Sequence, residues 1–180
     1  GARAGQFLLW RFLTRGQWWS SHPYSLSEAP RGDRLRITVK ALGDHSAALR
    51  HVRPGTRIVA EGPFGVFTDR ARRLDKVVLI GGGIGIAPIR ALMEELRGDV
   101  VVLYRVLREA DVVLHDELER LAAERGFALH VLIGDHATCD NPLSPARLEE
   151  LVPDLSQREV FVCGPPGMTE AAVRSARHAR

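Results

Sequence analysis

The sequence predicts a small antiparallel β-barrel followed by a doubly wound parallel α/β sheet. Three observations carry that prediction. "RLRITVKAL" (34–42) alternates with period two, Leu35, Ile37, Val39 and Ala41 against Arg34, Arg36, Thr38 and Lys40, the pattern of a half-buried strand. From residue 76 the pattern becomes four continuous apolar runs, "KVVLIG" (76–81), "DVVVLYRV" (99–106), "FALHVLIG" (127–134) and "EVFVCG" (159–164), as in strands buried on both faces. Helix-period stretches lie between those runs, and strand–helix alternation builds a parallel sheet.

Along the first part, "QFLLWRFL" (6–13) is an apolar and aromatic strand. "TRIVAEG" (56–62) is another, entered from the turn "RPG". Pro30, Gly32, Gly43, Pro54 and Gly55 separate these runs, as barrel turns do. "DRARRLDK" (69–76) is the expected linker. Next, "LHDELERLAAERG" repeats Leu114, Leu118, Leu121 and Ala122 and meets Gly126 as a stop. In "SPARLEELV", Ser144 is an N-cap and Pro145 the first helical residue. Gly1 leads almost at once into a strand, and "AAVRSARHAR" ends helix-like. Those ends predict a piece of a longer chain.

Composition excludes several classes. No run reaches the roughly 18 apolar residues of a membrane helix, and no signal peptide is visible. The net charge of +3 is spread mostly over arginines, and "RARR" (70–73) reads as a solvated linker rather than a nucleic-acid patch. Two cysteines, Cys139 and Cys163, without a C-x-x-C pair, exclude a structural zinc or iron–sulfur site made of this chain's cysteines. They also fit a reducing compartment. No resident metal is expected. His45 and His136 read as surface histidines.

"LIGGGIGIAPIRALMEEL" (79–96) is a strand end, a glycine turn and an amphipathic helix. The G-x-G-x-x-G fingerprint is not met, because the position after Gly83-x-Gly85-x-x is Pro88. Gly81, Gly82, Gly83 and Gly85 still permit close backbone approach, and the helix start offers free N–H groups and a positive dipole end. Proline is well tolerated in a first helical turn. A phosphate is the natural guest. About 20 positions on, where an acidic residue binds an NAD ribose, the chain has Arg105 and Arg108. Arginine suits a 2′-phosphate, so NADPH is favoured over NADH, with Glu109 and Asp111 nearby keeping NADH open.

Four motifs then fall in order: "HPYSL" (22–26), "EGPFG" (61–65), "GGGIGIAP" (81–88) and "CGPPGM" (163–168). Together they resemble the ferredoxin–NADP reductase superfamily, most closely the flavin domain of the ferric reductase and NADPH oxidase group, which carries H-P-F/Y-S/T. The resemblance spans nearly the whole chain. It implies an FAD-binding barrel over 1–70, lacking its first strand, and an NAD(P)H-binding domain over 71–180, lacking its last strand. By resemblance Tyr24 lies against the flavin, Ser25 hydrogen-bonds near flavin N5, and His22 stands near the FAD phosphates. Pro23 and Leu26 complete that motif. Val39, Lys40, Gly43 and Ser46 belong to a second flavin-phosphate stretch, and Gly62 and Gly65 let the chain pass close to the flavin. Gly82, Gly83, Ile84, Gly85 and Pro88 hold the nucleotide. Cys163, with Gly164 and Pro165, sits beside the nicotinamide, so Ser25 and Cys163 are the expected catalytic residues.

The implied activity is hydride transfer from NADPH (or NADH) to FAD, then single-electron release to an acceptor. The resemblance points to haem in a membrane domain upstream in the same chain, placing this module on the cytoplasmic face. The alternatives are a soluble cytoplasmic reductase of a ferredoxin or fused iron–sulfur domain, and a non-catalytic flavin- or nucleotide-binding regulatory module.

Overall fold

A computed structural model describes residues 1–135, 137 and 141–178. His136 and Cys139 lie outside the described residues. The antiparallel and parallel units follow in the predicted order.

The antiparallel unit has three strands, β1 (Phe7–Phe12), β2 (His22–Ser25) and β3 (Ile58–Phe64), in the order β2-β1-β3. Leu8, Trp10 and Phe12 alternate inward from β1 and pack on Leu26. Tyr24, Ile37, Leu49 and Val52 close around them. A short helix, α1 (Asp44–Ala48), precedes β3.

The parallel unit is β4 (Lys76–Gly82), α2 (Ile86–Glu95), β5 (Asp99–Val106), α3 (His115–Arg125), β6 (Ala128–Ile133), α4 (Pro145–Leu151), β7 (Glu159–Cys163) and α5 (Pro166–His178). Its strand order is β6-β5-β4-β7, all parallel. The continuous apolar runs are explained by two cores. Val77, Leu79, Val100, Val102 and Tyr104 face α2 and α3. Val78, Ile80, Val101 and Leu103 face the side holding Leu148 of α4 and Met168 and Ala172 of α5. Successive side chains of one strand point to opposite faces, so a strand covered on both sides must be apolar throughout. The predicted helix signals hold. Gly126 ends α3 with φ of 69°, and Ser144 caps α4 by accepting from the Arg147 N–H.

One expectation is corrected. Residues 34–42 do not form a strand. Their contact with β2's continuation is a single bridge between Ile37 and Leu26, beside a bond from the Ser27 N–H to Arg36 O. The alternation is real but serves two partners. Ile37 turns into the sheet core. Arg36 and Lys40 turn the other way and bind Glu117 and Asp111 of the parallel unit. Ion pairing across the two units thus replaces ladder pairing.

The junction between the units is charged and partly buried. Arg90 of α2 is 3% exposed. It donates to Ser27 O at 2.8 Å and to Glu117 at 2.6 Å, and pairs with Glu94 at 3.1 Å. Glu94 also accepts from the Ala29 N–H at 2.8 Å. A buried guanidinium is tolerated only when its donors are satisfied, and here they are met from both units.

Candidate functional site

Where the two units meet, at the carboxyl ends of β4, β5 and β7, lies a cavity of about 500 Å³. Open parallel sheets bind ligands outside their strand carboxyl ends. The antiparallel unit contributes Ser25, at the end of β2, with Thr38, Lys40 and Leu42. The parallel unit contributes Gly82 to Gly85 with Ala87 and Pro88, Arg105 from β5, Cys163 at the end of β7, and Gly164 and Pro165 after it. Two predicted catalytic residues, far apart in sequence, therefore line one space.

Steric demand explains the glycine turn. A Cβ on Gly85 would lie 2.2 Å from the Cys163 carbonyl oxygen, so any side chain would push the β4 and β7 turns apart. Gly83 has φ of 53°, the left-handed region that favours glycine. Pro88 stands in the first turn of α2, where its missing N–H costs nothing.

Charge at the cavity is largely compensated. Arg105 is 5% exposed and pairs with Asp135 at 3.3 Å. Its Nε is buried without a hydrogen-bond partner, which leaves one donor for a ligand acceptor. Arg108 is exposed and holds Asp111 at 3.0 and 3.4 Å. Lys40 reaches the same carboxylate at 3.5 Å. The Arg108 bond, helped by Lys40, holds the Asp111 carboxyl below its usual range. Each arginine expected to meet a 2′-phosphate thus already faces a carboxylate of this chain. Burial raises the Cys163 thiol. It is protonated at neutral pH and cannot be a ready nucleophile.

Other predicted residues lie outside this cavity. Leu26 is fully buried in the sheet core. Tyr24 is half-buried beside it, and its carbonyl accepts from the Trp10 indole at 3.2 Å. Val39 is half-buried and Pro23 exposed in β2. Gly43 and Ser46 satisfy each other, with Ser46 Oγ accepting from the Gly43 N–H and donating to Gly43 O. Gly62 faces Leu8 and Phe64, and Gly65 faces Phe7.

His22 lies against His45 with ring centroids 3.4 Å apart and planes tilted by 30°, so His45 is packed rather than on the surface. Its pKa is pushed down by burial and by His22. His22 Nε2 and both His45 ring nitrogens are buried without a partner. Beside them runs a second groove of about 500 Å³, lined by Arg15, Trp19 and His51 among others. Unpartnered ring nitrogens beside basic side chains are what a phosphate-bearing cofactor would use.

Sequence reasoning missed Thr38, Leu42, Ala87, Val106, Leu107 and Asp111 as cavity residues. Asp111 had a signal, being three residues from Arg108. The apolar ones had none, since they read as strand or turn.

Known proteins resemble this chain over both units. Residues 1–68 match the family model of an FAD-binding domain. Residues 79–174, more than half of the 180, match that of an oxidoreductase NAD-binding domain. The ferredoxin reductase component of 3-ketosteroid-9-alpha-monooxygenase from Mycobacterium tuberculosis is 32% identical over 176 residues, covering 93% of this chain and 49% of the relative. The glycine betaine monooxygenase reductase subunit of Chromohalobacter salexigens is 29% identical over 159 residues, covering 79% and 43%. The chain thus spans about half the length of the curated relatives it matches. The flavohem-like FAD/NAD-binding domain of nitric oxide dioxygenase from Vibrio cholerae superposes with a TM-score of 0.79 at 24% identity, over 98% of this chain and 80% of that one. No described helix is long and apolar enough to cross a membrane.

Proposed function

The chain belongs to the ferredoxin–NADP reductase superfamily, and from that membership we propose that it moves hydride from NAD(P)H to FAD and passes single electrons to an iron–sulfur acceptor. The observation that carries this reading is the convergence of Ser25 and Cys163 on one cavity beside the Gly82–Pro88 turn. The division near residue 70 makes 1–70 the flavin unit and 71–180 the nucleotide unit. Bound FAD supplies the conversion of a two-electron donor into one-electron steps.

The chain's own residues position and shield. The turn's backbone N–H groups and the start of α2 hold nucleotide phosphate. Arg105 Nε offers a donor to the same ligand. The Ser25 hydroxyl presents a hydrogen bond at the flavin edge. Cys163, neutral and largely apolar, keeps water from the transfer path. Orientation of two rings in a preformed cleft is where such catalysis gains most.

The acceptor class is read from the relatives, whose names are reductase components of oxygenase systems. It replaces haem of a membrane domain as the leading reading. The H-P-Y-S motif at 22–25 still favours haem as a second reading. Anaerobic absorbance of the FAD-loaded protein, titrated with NADPH and then NADH, tests the first step. Bleaching of the oxidised flavin bands is expected, and yellow flavin that neither nucleotide reduces would instead support a regulatory binding module. Adding a plant-type ferredoxin or a b-type haem protein to the reduced protein then separates the acceptors by which one is reduced.

A further inference from the structure

Positive charge that the sequence disperses is gathered by the fold onto one end of the antiparallel sheet. Segments 11–22 and 44–60 hold Arg11, Arg15, Arg50, Arg53 and Arg57 against one acidic residue, Asp44. Their formal charge is +4, in a chain whose total is +3, so the remainder is −1. All five arginines are exposed. Pairing of β1 with β3 sets Arg11 opposite Val59, and the Leu13 N–H donates to Arg57 O at 3.0 Å.

The same end exposes large apolar side chains. Trp18 and Trp19, in the loop from β1 to β2, are 60% and 63% exposed. They meet edge to face at 5.8 Å. Leu13, just after β1, is 44% exposed. Indole rings favour the boundary between water and hydrocarbon. Arginine stems lie along apolar surface while their heads meet phosphates. An acidic protein would match the same positive charge, and the exposed indoles beside it favour a lipid surface. Here one sign dominates, at the end of the sheet that also exposes Trp18 and Trp19.

We propose that this face docks the protein on an anionic phospholipid surface. Trp18 and Leu13 enter the headgroup layer, and the exposed arginines bind lipid phosphates and carboxylates. The proposal does not rest on the electron-transfer reading: Arg15 and Trp19 border the second groove, whereas Trp18, Arg53 and Arg57, on which the test turns, line neither of the two cavities described.

The test is co-sedimentation of the FAD-loaded protein with vesicles of phosphatidylcholine, with or without about one-third phosphatidylserine. Binding to the anionic vesicles alone is expected, with a blue shift of tryptophan emission and loss at high salt. Arg53→Glu/Arg57→Glu should weaken it roughly tenfold or more, and Trp18→Ser should also weaken it. Arg174→Glu/Arg177→Glu on α5, with the same charge change, should not. Absence of sedimentation overturns the proposal, as does an equal loss in the α5 variant. Binding that ignores Trp18→Ser but needs Arg53 and Arg57 also overturns it, and would mark the face as a site for an acidic protein. Should the double variant fail to fold, Trp18→Ser and the wild-type emission shift still decide.

Discussion

Arg36 grips Glu117 across the two units with bonds of 2.8 and 2.9 Å, and Arg90 reaches the same carboxylate at 2.6 Å. Glu117 sits on α3, Arg36 in the segment after β2, and Arg90 on α2. The bond to Arg36, with both positive charges, holds the Glu117 carboxyl below its usual range. Its loss would leave Arg90 with Glu94 and Ser27 O alone.

Glu117→Ala is therefore expected to cost about 2 kcal/mol of stability, the range for a charged hydrogen bond whose partner stays buried. Urea unfolding monitored at the tryptophans measures it. A loss below about 0.5 kcal/mol, within the spread of ordinary surface changes, would mean that Glu117 does not join the units.

Gly85→Ala tests the close approach of the β4 turn to Cys163 O. The added methyl must displace the turn that would carry the nucleotide. NADH and NADPH turnover should both fall about a hundredfold, as for small misplacements near reacting groups, while FAD stays bound. Flavin absorbance of the purified protein and steady-state reduction of ferricyanide read the two effects. Normal turnover would remove the turn from the site.

Arg105→Ala separates the nucleotides. If its Nε meets the 2′-phosphate, NADPH affinity should fall about tenfold more than NADH affinity, the worth of one charge-assisted bond. If Asp135 already spends that charge, both should fall alike. Stopped-flow flavin reduction against each nucleotide decides, and equal losses end the preference for NADPH.

Cys163 labelling follows from its raised pKa. Since only the thiolate reacts, iodoacetamide should modify it slowly at neutral pH and faster above the ordinary thiol range. NADH should protect it. Peptide mapping assigns the labelled cysteine, and rapid labelling near pH 7 would contradict a buried neutral thiol.

Acid sensitivity has a defined window. Arg158 and Lys76 hold the Asp154 carboxyl down at about 2, with bonds of 2.6 Å each. The folded value lies below the unfolded one, so this pair contributes stability above the unfolded value of about 4. That contribution fades as pH falls toward about 2. Asp154→Asn should flatten the acid limb of stability measured by thermal melts from pH 5 downward. An unchanged limb would show that the pair is screened away.

Much of the fold was legible in the chain. The runs 76–81, 99–106 and 159–164 became β4, β5 and β7, because an apolar residue at every position is what two-sided burial demands. Gly126, Ser144 and Pro88 marked helix ends through local backbone chemistry. At 34–42 the alternation misled, since period two reports two unlike faces and not what covers each. Of the site, the turn, Ser25 and Cys163 were readable as motifs. The His22–His45 contact and the pairing of Arg105 with Asp135 were not, because contacts 23 and 30 residues apart leave no local periodicity.

The sequence by itself determined the order of the two units, the periods of their strands and the glycine turn, all set by neighbours a few residues away. Tertiary structure alone decided which arginines are neutralised, which are gathered into one exposed face, and that Ser25 meets Cys163. Those relations arise where folding brings distant segments within a few ångströms, and burial there fixes which charges are paired and which donors stay open.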